Sequence, residues 1–491
     1  MTTLESIAHT YERNLKNGST TSFAIDGLDR LGVPVEFAFH RLQGGAKLDG
    51  YGYGHTWDEA RVGASGELAE AVHNHLWMET CRRMHASYID MVNRYGPRGV
   101  VDPIALSLPA GSWYTPDIPL SWVAAKRWPS RETVYVPLEV AASAPRYMQG
   151  VKPLFTPNTN GRGAGLCIEQ ALAHGVLELL QRDGNCTAFR ALDQGRCIDL
   201  DVIQDASIRD LLHLLEKADI EVTVKLACTD FGLVNLYVVG RDHGAAAFPL
   251  MLTACGEAAH PDREFALRKA LLEFAAARCR KAFMHGSLAD VERVTPAGYM
   301  AAAREDVNLE NEEPRSLREM AMWCTHSAAA LYDLVRPTVF KDRARVPFSS
   351  LETAPAALMQ DPVARLSLVA ERLLSAGHDI LYVDYTPADS DVAVVKAIVT
   401  GLECETMSYY RLGERGARRL LVRGDDFIGR GNAPSGCLPV MLTPESEERL
   451  GSIIWLDPAR VDAIVGGLYP LYREPTTHAV QRYLANQGSG G

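Results

Sequence analysis

The sequence predicts a mixed α/β protein. Three observations carry that prediction. Two segments alternate apolar and polar residues on either side of a short turn, the mark of a strand pair. Three longer segments repeat apolar residues at helical spacing opposite a polar stripe. The composition is that of a globular chain, with 491 residues, 47% hydrophobic and 23% charged. That length admits two or more cores and excludes a wholly disordered, collagen-like or coiled-coil chain. A net charge of -11 argues against non-specific nucleic-acid binding. No apolar run approaches the ~18–20 residues that a membrane span needs. The start, MTTLESIAHTYERNLKN, lacks the apolar core of a signal peptide. The ten cysteines form no Cys-x-x-Cys pair, so neither a disulfide framework nor a zinc site is expected, and a reducing cytoplasm is the natural setting.

In chain order, the stretch Gly99 to Ser121 is rich in Pro and Gly and reads as a separator after an N-terminal unit. Ile220 to Val239 reads as two strands, with Val222, Val224 and Leu226 alternating before Asp230-Phe231-Gly232 reverses the chain. The acidic run Glu305 to Glu313 reads as a solvated loop or helix end. Asp361-Pro362 supplies a cap and a first-turn proline to a helix that Gly377 stops. Ile380 to Val399 repeats the strand-pair design around TPADSD. The closing Gly-Ser-Gly-Gly reads as a flexible tail.

The three polar-striped helices carry the chemistry. In TPNTNGRGAGLCIEQALAHGVLELLQRDG, from Thr156, a Gly- and Asn-rich loop opens into a helix. At about 100° per residue Gln170, His174, Glu178 and Gln181 share one arc, opposite Ile168, Leu172, Val176, Leu179 and Leu180. A surface helix accounts for that face, and so does a set of oxygen and nitrogen ligands behind Gly161, Gly163 and Gly165, whose amides could approach a phosphate. The helix starting near His55 follows Gly50, Gly52 and Gly54 and places Glu67 and Glu70 side by side. They read as an exposed acidic face or as ligands of a hard cation such as Mg²⁺. The helix from His260 carries Arg268, Lys269 and Glu273, read as a helical ion pair or as a phosphate clamp with a metal-ligating carboxylate. A phosphate P-loop, a kinase catalytic loop, a Ser nucleophile elbow and an H-E-x-x-H zinc motif are all missing. His73 and His75 read as structural or surface histidines, and Trp77 and Tyr237 as core. GELAEAVHNHL from Gly66 and LELLQRDGNC from Leu177 weakly echo one another.

Taken together, these segments resemble the YcaO family. GYGHTWDEARVGASGELAEA is similar to the family's GKG…SA..E..E segment, NGRGAGLCIEQALAHGVLELLQRDG to its NG..AG….E..ERDA segment, and GEAAHPDREFALRKALLEFAAAR to its G.G.H.D…RAL.E..Q.R segment. AIVTGLE, from Ala397, looks like the V-P-G-L-E strand end, with Thr400 in place of Pro. The resemblance implies a fold of helices packed on antiparallel and mixed sheets around a central ATP site, with ATP and Mg²⁺ as cofactors and a peptide backbone amide as the group activated. It implies ATP contacts at Gly52, Tyr53, Gly54, Glu67, Gln170, His174, Arg182, Lys269 and Glu273, with metal ligands at Glu67, Glu70, Glu178 and Gln181. The residue that performs the chemistry is not assigned. Residues 1–45 would form an N-terminal extension, 46–430 the YcaO domain, and 431–491 a C-terminal extension.

The departures from the family pattern fall on the implied site. Tyr53 replaces a Lys, Gln181 and Gln170 each replace a Glu, Lys269 an Arg, and Ala276 a Gln. Tyr53, Gln181 and Gln170 remove charge where phosphate and metal would sit, and Lys269 keeps the charge while losing the bidentate fork. The segment from Gly27 is similar to that of YcaO proteins that work with a TfuA partner, some of which make thioamides. The Pro-x-Pro-x-Pro ending of azoline formers is missing, and a leader-binding partner would be a separate chain. The expected function is maturation of a ribosomally made peptide, through a thioamide or an azoline. The alternatives are a non-catalytic YcaO subunit that binds peptide or partner, and a different reaction such as amidine formation. A homodimer fits all of these readings.

Overall fold

The computed structural model describes residues 3–244 and 248–488, and the Ser-Gly-Gly that closes the expected flexible tail lies outside them. The chain forms two compact units that alternate along the sequence. The first comprises Met1–Leu68, Ala188–Ala354 and Gly466–Gly491, and the second Ala69–Thr187 and Pro355–Val465. The Pro- and Gly-rich 99–121 stretch therefore separates nothing: it lies wholly within the second unit. Its Pro103 begins the 3-10 turn Pro103–Leu106, and the Asp102 side chain accepts the Ile104 N–H at 2.9 Å.

In the first unit, Gly18–Ala24, Val35–Leu42 and Lys47–Tyr53 pair antiparallel in that order. A five-stranded sheet runs Gly256–His260, Val234–Asp242, Ile220–Cys228, Arg196–Asp199, Ala344–Pro347, with only the last pair parallel. Its central hairpin is the one expected at 220–239. It turns at Asp230–Gly232, where Phe231 takes a left-handed φ of 56°. The alternating valines and leucines of this hairpin face the helices Ala206–Lys217 and Arg263–His285 around Ile208, Leu211, Leu236 and Phe274. Tyr237, on the other face, is buried as expected against Phe189, with ring centroids 4.3 Å apart.

In the second unit, a six-stranded sheet runs Met84–Ser87, Pro119–Arg127, Ile380–Asp384, Ala393–Val399, Arg162–Gly165, with Thr133–Pro137 also pairing beside Pro119–Arg127. The strands at 380–399 match the sequence expectation. Asp361 caps the helix Pro362–Ser375 by accepting the Val363 N–H, and Gly377 follows it at φ +85°. Three short strands, Ile428–Arg430, Ile454–Leu456 and Leu438–Pro439, form a separate small sheet.

The three polar-striped helices are Trp57–Thr80, Ile168–Cys186 and Arg263–His285. Each follows a glycine-bearing strand and packs onto it at backbone contact. A Cβ added to Gly52 would stand 1.8 Å from the Ala60 carbonyl oxygen, one added to Gly163 2.1 Å from that of Ala171, and one added to Gly256 1.9 Å from that of Ala270. Only glycine lets strand and helix approach so closely.

Candidate functional site

In the second unit the site grows from the helix Ile168–Cys186. Contrary to the loop expected ahead of it, Arg162–Gly165 is an edge strand paired with Ala393–Val399. Gly163 and Gly165 make room for the helix instead of leaving amides open to a phosphate, and the Gly161 N–H donates to Glu178 Oε2 at 2.9 Å. Burial works to raise the Glu178 carboxyl, but Arg182, His174, the Gly161 N–H and Arg162 outweigh it and hold it below its ordinary range. Arg182 Nη2 lies 3.4 Å from Glu178 Oε1, on the next turn. Gln170 places its amide oxygen 3.0 Å from the Leu166 N–H at the helix start, His174 is exposed, and Gln181 is buried. Glu70 is buried, with Oε2 3.8 Å from Arg162 Nε.

Across the strand pair, Lys396 sits opposite Arg162. Its Nζ donates to the carbonyl oxygens of Asn158 and, at 3.2 Å, Ala142. Burial and the Arg162 charge push this amine down to about 7. At the helix end, Asp183 accepts the Glu403 N–H at 3.0 Å and ion-pairs with Arg415 and Arg419 at 3.0 and 3.1 Å. Glu403 Oε1 accepts the Gly416 N–H at 2.7 Å, inside the first turn of the helix Glu414–Arg423. Burial, reinforced by the Asp183 charge, pushes its carboxyl up to about 7. The RDG and GLE segments, far apart in sequence, thus meet through Asp183 and Glu403.

In the first unit, Glu67 Oε2 accepts the Tyr51 N–H at 2.9 Å, and the Tyr53 hydroxyl donates to Glu273 Oε2 at 3.3 Å. Burial and the charges of Glu273 and Glu67 hold the Tyr53 phenol well above its usual range, so it is a neutral donor where the family pattern carries a lysine. Gly52 and Gly54 pack against Ala60 and Glu59. The Arg280 guanidinium lies 4.7 Å from the centre of the Tyr51 ring. Lys269 is partly exposed, and the neighbouring Arg268 pairs with Asp205 at 3.0 Å.

Four of these groups escape the sequence reading: Arg162, Asp183, Lys396 and Glu403. Lys396 left a signal, as the lone charge in the apolar run VAVVKAIV. Asp183 and Glu403 stood inside quoted motifs, but nothing in the sequence pairs them.

The family profile described as YcaO cyclodehydratase, ATP- and Mg²⁺-binding, matches residues 51–403. The chain belongs to the YcaO family. An uncharacterized protein of Methanothermobacter thermautotrophicus is 28% identical over 81% of this chain and 93% of its own length. The structure of YcaO from Methanopyrus kandleri bound with AMPPCP and Mg²⁺ superposes with a TM-score of 0.55 at 22% identity, covering 83% of this chain and 92% of that one. A heterocyclase in complex with substrate and cofactor gives 0.56 at 16% identity, over 82% of this chain and 52% of that one. At these identities the two superpositions show the fold. The cofactors of this YcaO protein are ATP and Mg²⁺.

The residues present fit those cofactors. Among the described residues no three His, Cys, Asp or Glu side chains gather into a metal cage. Mg²⁺ does not require one, because it is held by one or two carboxylates together with phosphate oxygens and water. Glu178, kept ionised and a quarter exposed, offers such a carboxylate, and Arg182 beside it offers a fork for a phosphate. Bound there, the pair would supply a transferable phosphoryl group and the charge that neutralises it. No helix is long and apolar enough to cross a membrane among the described residues.

Proposed function

We propose that this YcaO protein is an ATP- and Mg²⁺-dependent enzyme that activates backbone amides of a precursor peptide, in the maturation of a ribosomally made natural product. The observation that supports this most is the Glu178–Arg182 pair, a carboxylate held charged next to an arginine on one half-buried helix turn. Glu70, Glu178 and Gln181 are assigned as metal ligands and Gln170, His174 and Arg182 as nucleotide contacts within the second unit. Gly52, Tyr53, Gly54, Glu67, Lys269 and Glu273 keep the same assignments within the first. The YcaO domain spans 46–430 between its two extensions. The product is a thioamide or an azoline. A separate leader-binding or TfuA-like chain presents the peptide to a cytoplasmic homodimer, and the ten free cysteines fit a reducing compartment. Tyr53, a neutral phenol on Glu273, favours a second reading, a non-catalytic peptide-binding subunit. Calorimetry of Mg²⁺-ATP on the purified chain separates the two. Tight binding that weakens at least tenfold in both Glu178→Ala and Glu70→Ala supports the enzyme. Absence of binding to the unmodified chain supports the subunit.

A further inference from the structure

We propose that a cavity in the second unit, lined by Lys396 and Glu403, is the subsite that receives one backbone amide of the peptide, its carbonyl oxygen on Lys396 and its N–H on Glu403. The inference rests on the peptide-modifying reading above and assigns two residues that the family resemblance leaves without a role. The cavity measures about 70 Å³. Measured as space open to water centres, where one water needs ~10–15 Å³, it holds several waters and so a single peptide unit. Phe155, Leu179, Asn158 and Arg182 also line it, so the nucleotide-facing arginine borders the same space.

Two buried polar groups are left incomplete there. Glu403 is 2% exposed, and its Oε2 has no hydrogen-bond partner, while Oε1 is taken by the Gly416 N–H. Lys396 is 4% exposed and has three N–H donors, of which the Asn158 and Ala142 carbonyls take two. A buried acceptor without a donor costs about 1–3 kcal/mol, so such a group persists where a ligand completes it. One free acceptor and one free donor, in a pocket whose walls also carry Phe155, Leu179 and Ile398, match a secondary amide, which presents one N–H and one C=O. The balance of charge fits the same ligand. The Lys396 ammonium and the Glu403 carboxylate offset each other, so the cavity accepts a neutral partner without burying an unpaired charge.

The test uses N-methylacetamide, the smallest peptide-unit mimic, in crystals of the full chain. The expected result is the amide in this cavity with its oxygen on Lys396 Nζ. In solution its affinity should fall at least tenfold in Lys396→Met and in Glu403→Gln. Water alone in the cavity, the amide bound elsewhere, or equal affinity in both variants would overturn the assignment. Mg²⁺-ATP calorimetry on the unmodified chain reports separately on the function reading: nucleotide binding with an empty cavity sinks this inference alone.

Discussion

Gly52 stands against Ala60, and Gly163 against Ala171, with the same backbone-to-backbone contact in both. Glu59 accepts the His55 N–H and Gln170 accepts the Leu166 N–H, each at its helix start. Glu67 then reaches back to the Tyr51 N–H of the preceding strand, and Glu178, one position earlier, to the Gly161 N–H just ahead of its strand. The helices Trp57–Thr80 and Ile168–Cys186 are thus the same strand–helix design at one constant spacing along the chain. The filling differs. Where the second pair carries Arg162, Arg182 and Asp183, the first carries Tyr51, Ala71 and Val72. Shared backbone geometry fixes the position of one carboxylate in each pair, and the side chains around it differ: Arg182, His174 and Arg162 around Glu178, and Tyr51, Tyr53 and Arg280 around Glu67.

The largest effect that would sharpen this contrast is expected at Asp183. Asp183→Ala leaves Glu403 N–H, Arg415 and Arg419 without their shared acceptor and should destabilise the chain by about 3 kcal/mol. Val72→Ala, at the matching position, removes only buried methyl groups and should cost ~1–2 kcal/mol. Denaturation midpoints of the two variants check the difference. Gly163→Ala and Gly52→Ala probe what the pairs share: each should cost about 1–3 kcal/mol, and a loss in only one would break the equivalence.

A pH series separates the charged pair further. Because the folded state raises Glu403 from 4.5 to about 7, it binds that proton more tightly than the unfolded chain does. The proton's contribution to stability is therefore present below pH 4.5 and is lost as pH rises towards 7. Melting temperatures of Glu403→Gln should gain on the unmodified chain by a few degrees across that window, and parallel curves would contradict the assignment. The smallest effect is expected at Tyr53→Phe, which loses one 3.3 Å hydrogen bond to Glu273 and about 0.5–1 kcal/mol in thermal denaturation.

Much of the fold was legible because periodicity reports local structure. Both strand pairs, the capped helix at 362–375 and the three polar helices follow from it. The weak echo between Gly66 and Leu177 proves to be part of the repeated strand–helix design, although two short carboxylate-bearing segments could not show this without the glycines packed behind them. The glycine-rich segments misled for a related reason. Sequence reports that Gly163 is tolerated, and only packing shows that a helix backbone requires it. Lys396 and Glu403 lie beyond such reasoning, because their environment comes from strands, loops and helix ends distant along the chain.

The interleaving of the two units also governs how the protein is made. Trp323 donates its indole N–H to the Gly467 carbonyl, and Leu468, Ala479 and Val480 complete the apolar cluster around it. That part of the first unit cannot close until the chain as far as Val480 has left the ribosome. Until then its earlier segments wait with apolar surface uncovered, which is when chaperones would matter most to the yield of this chain.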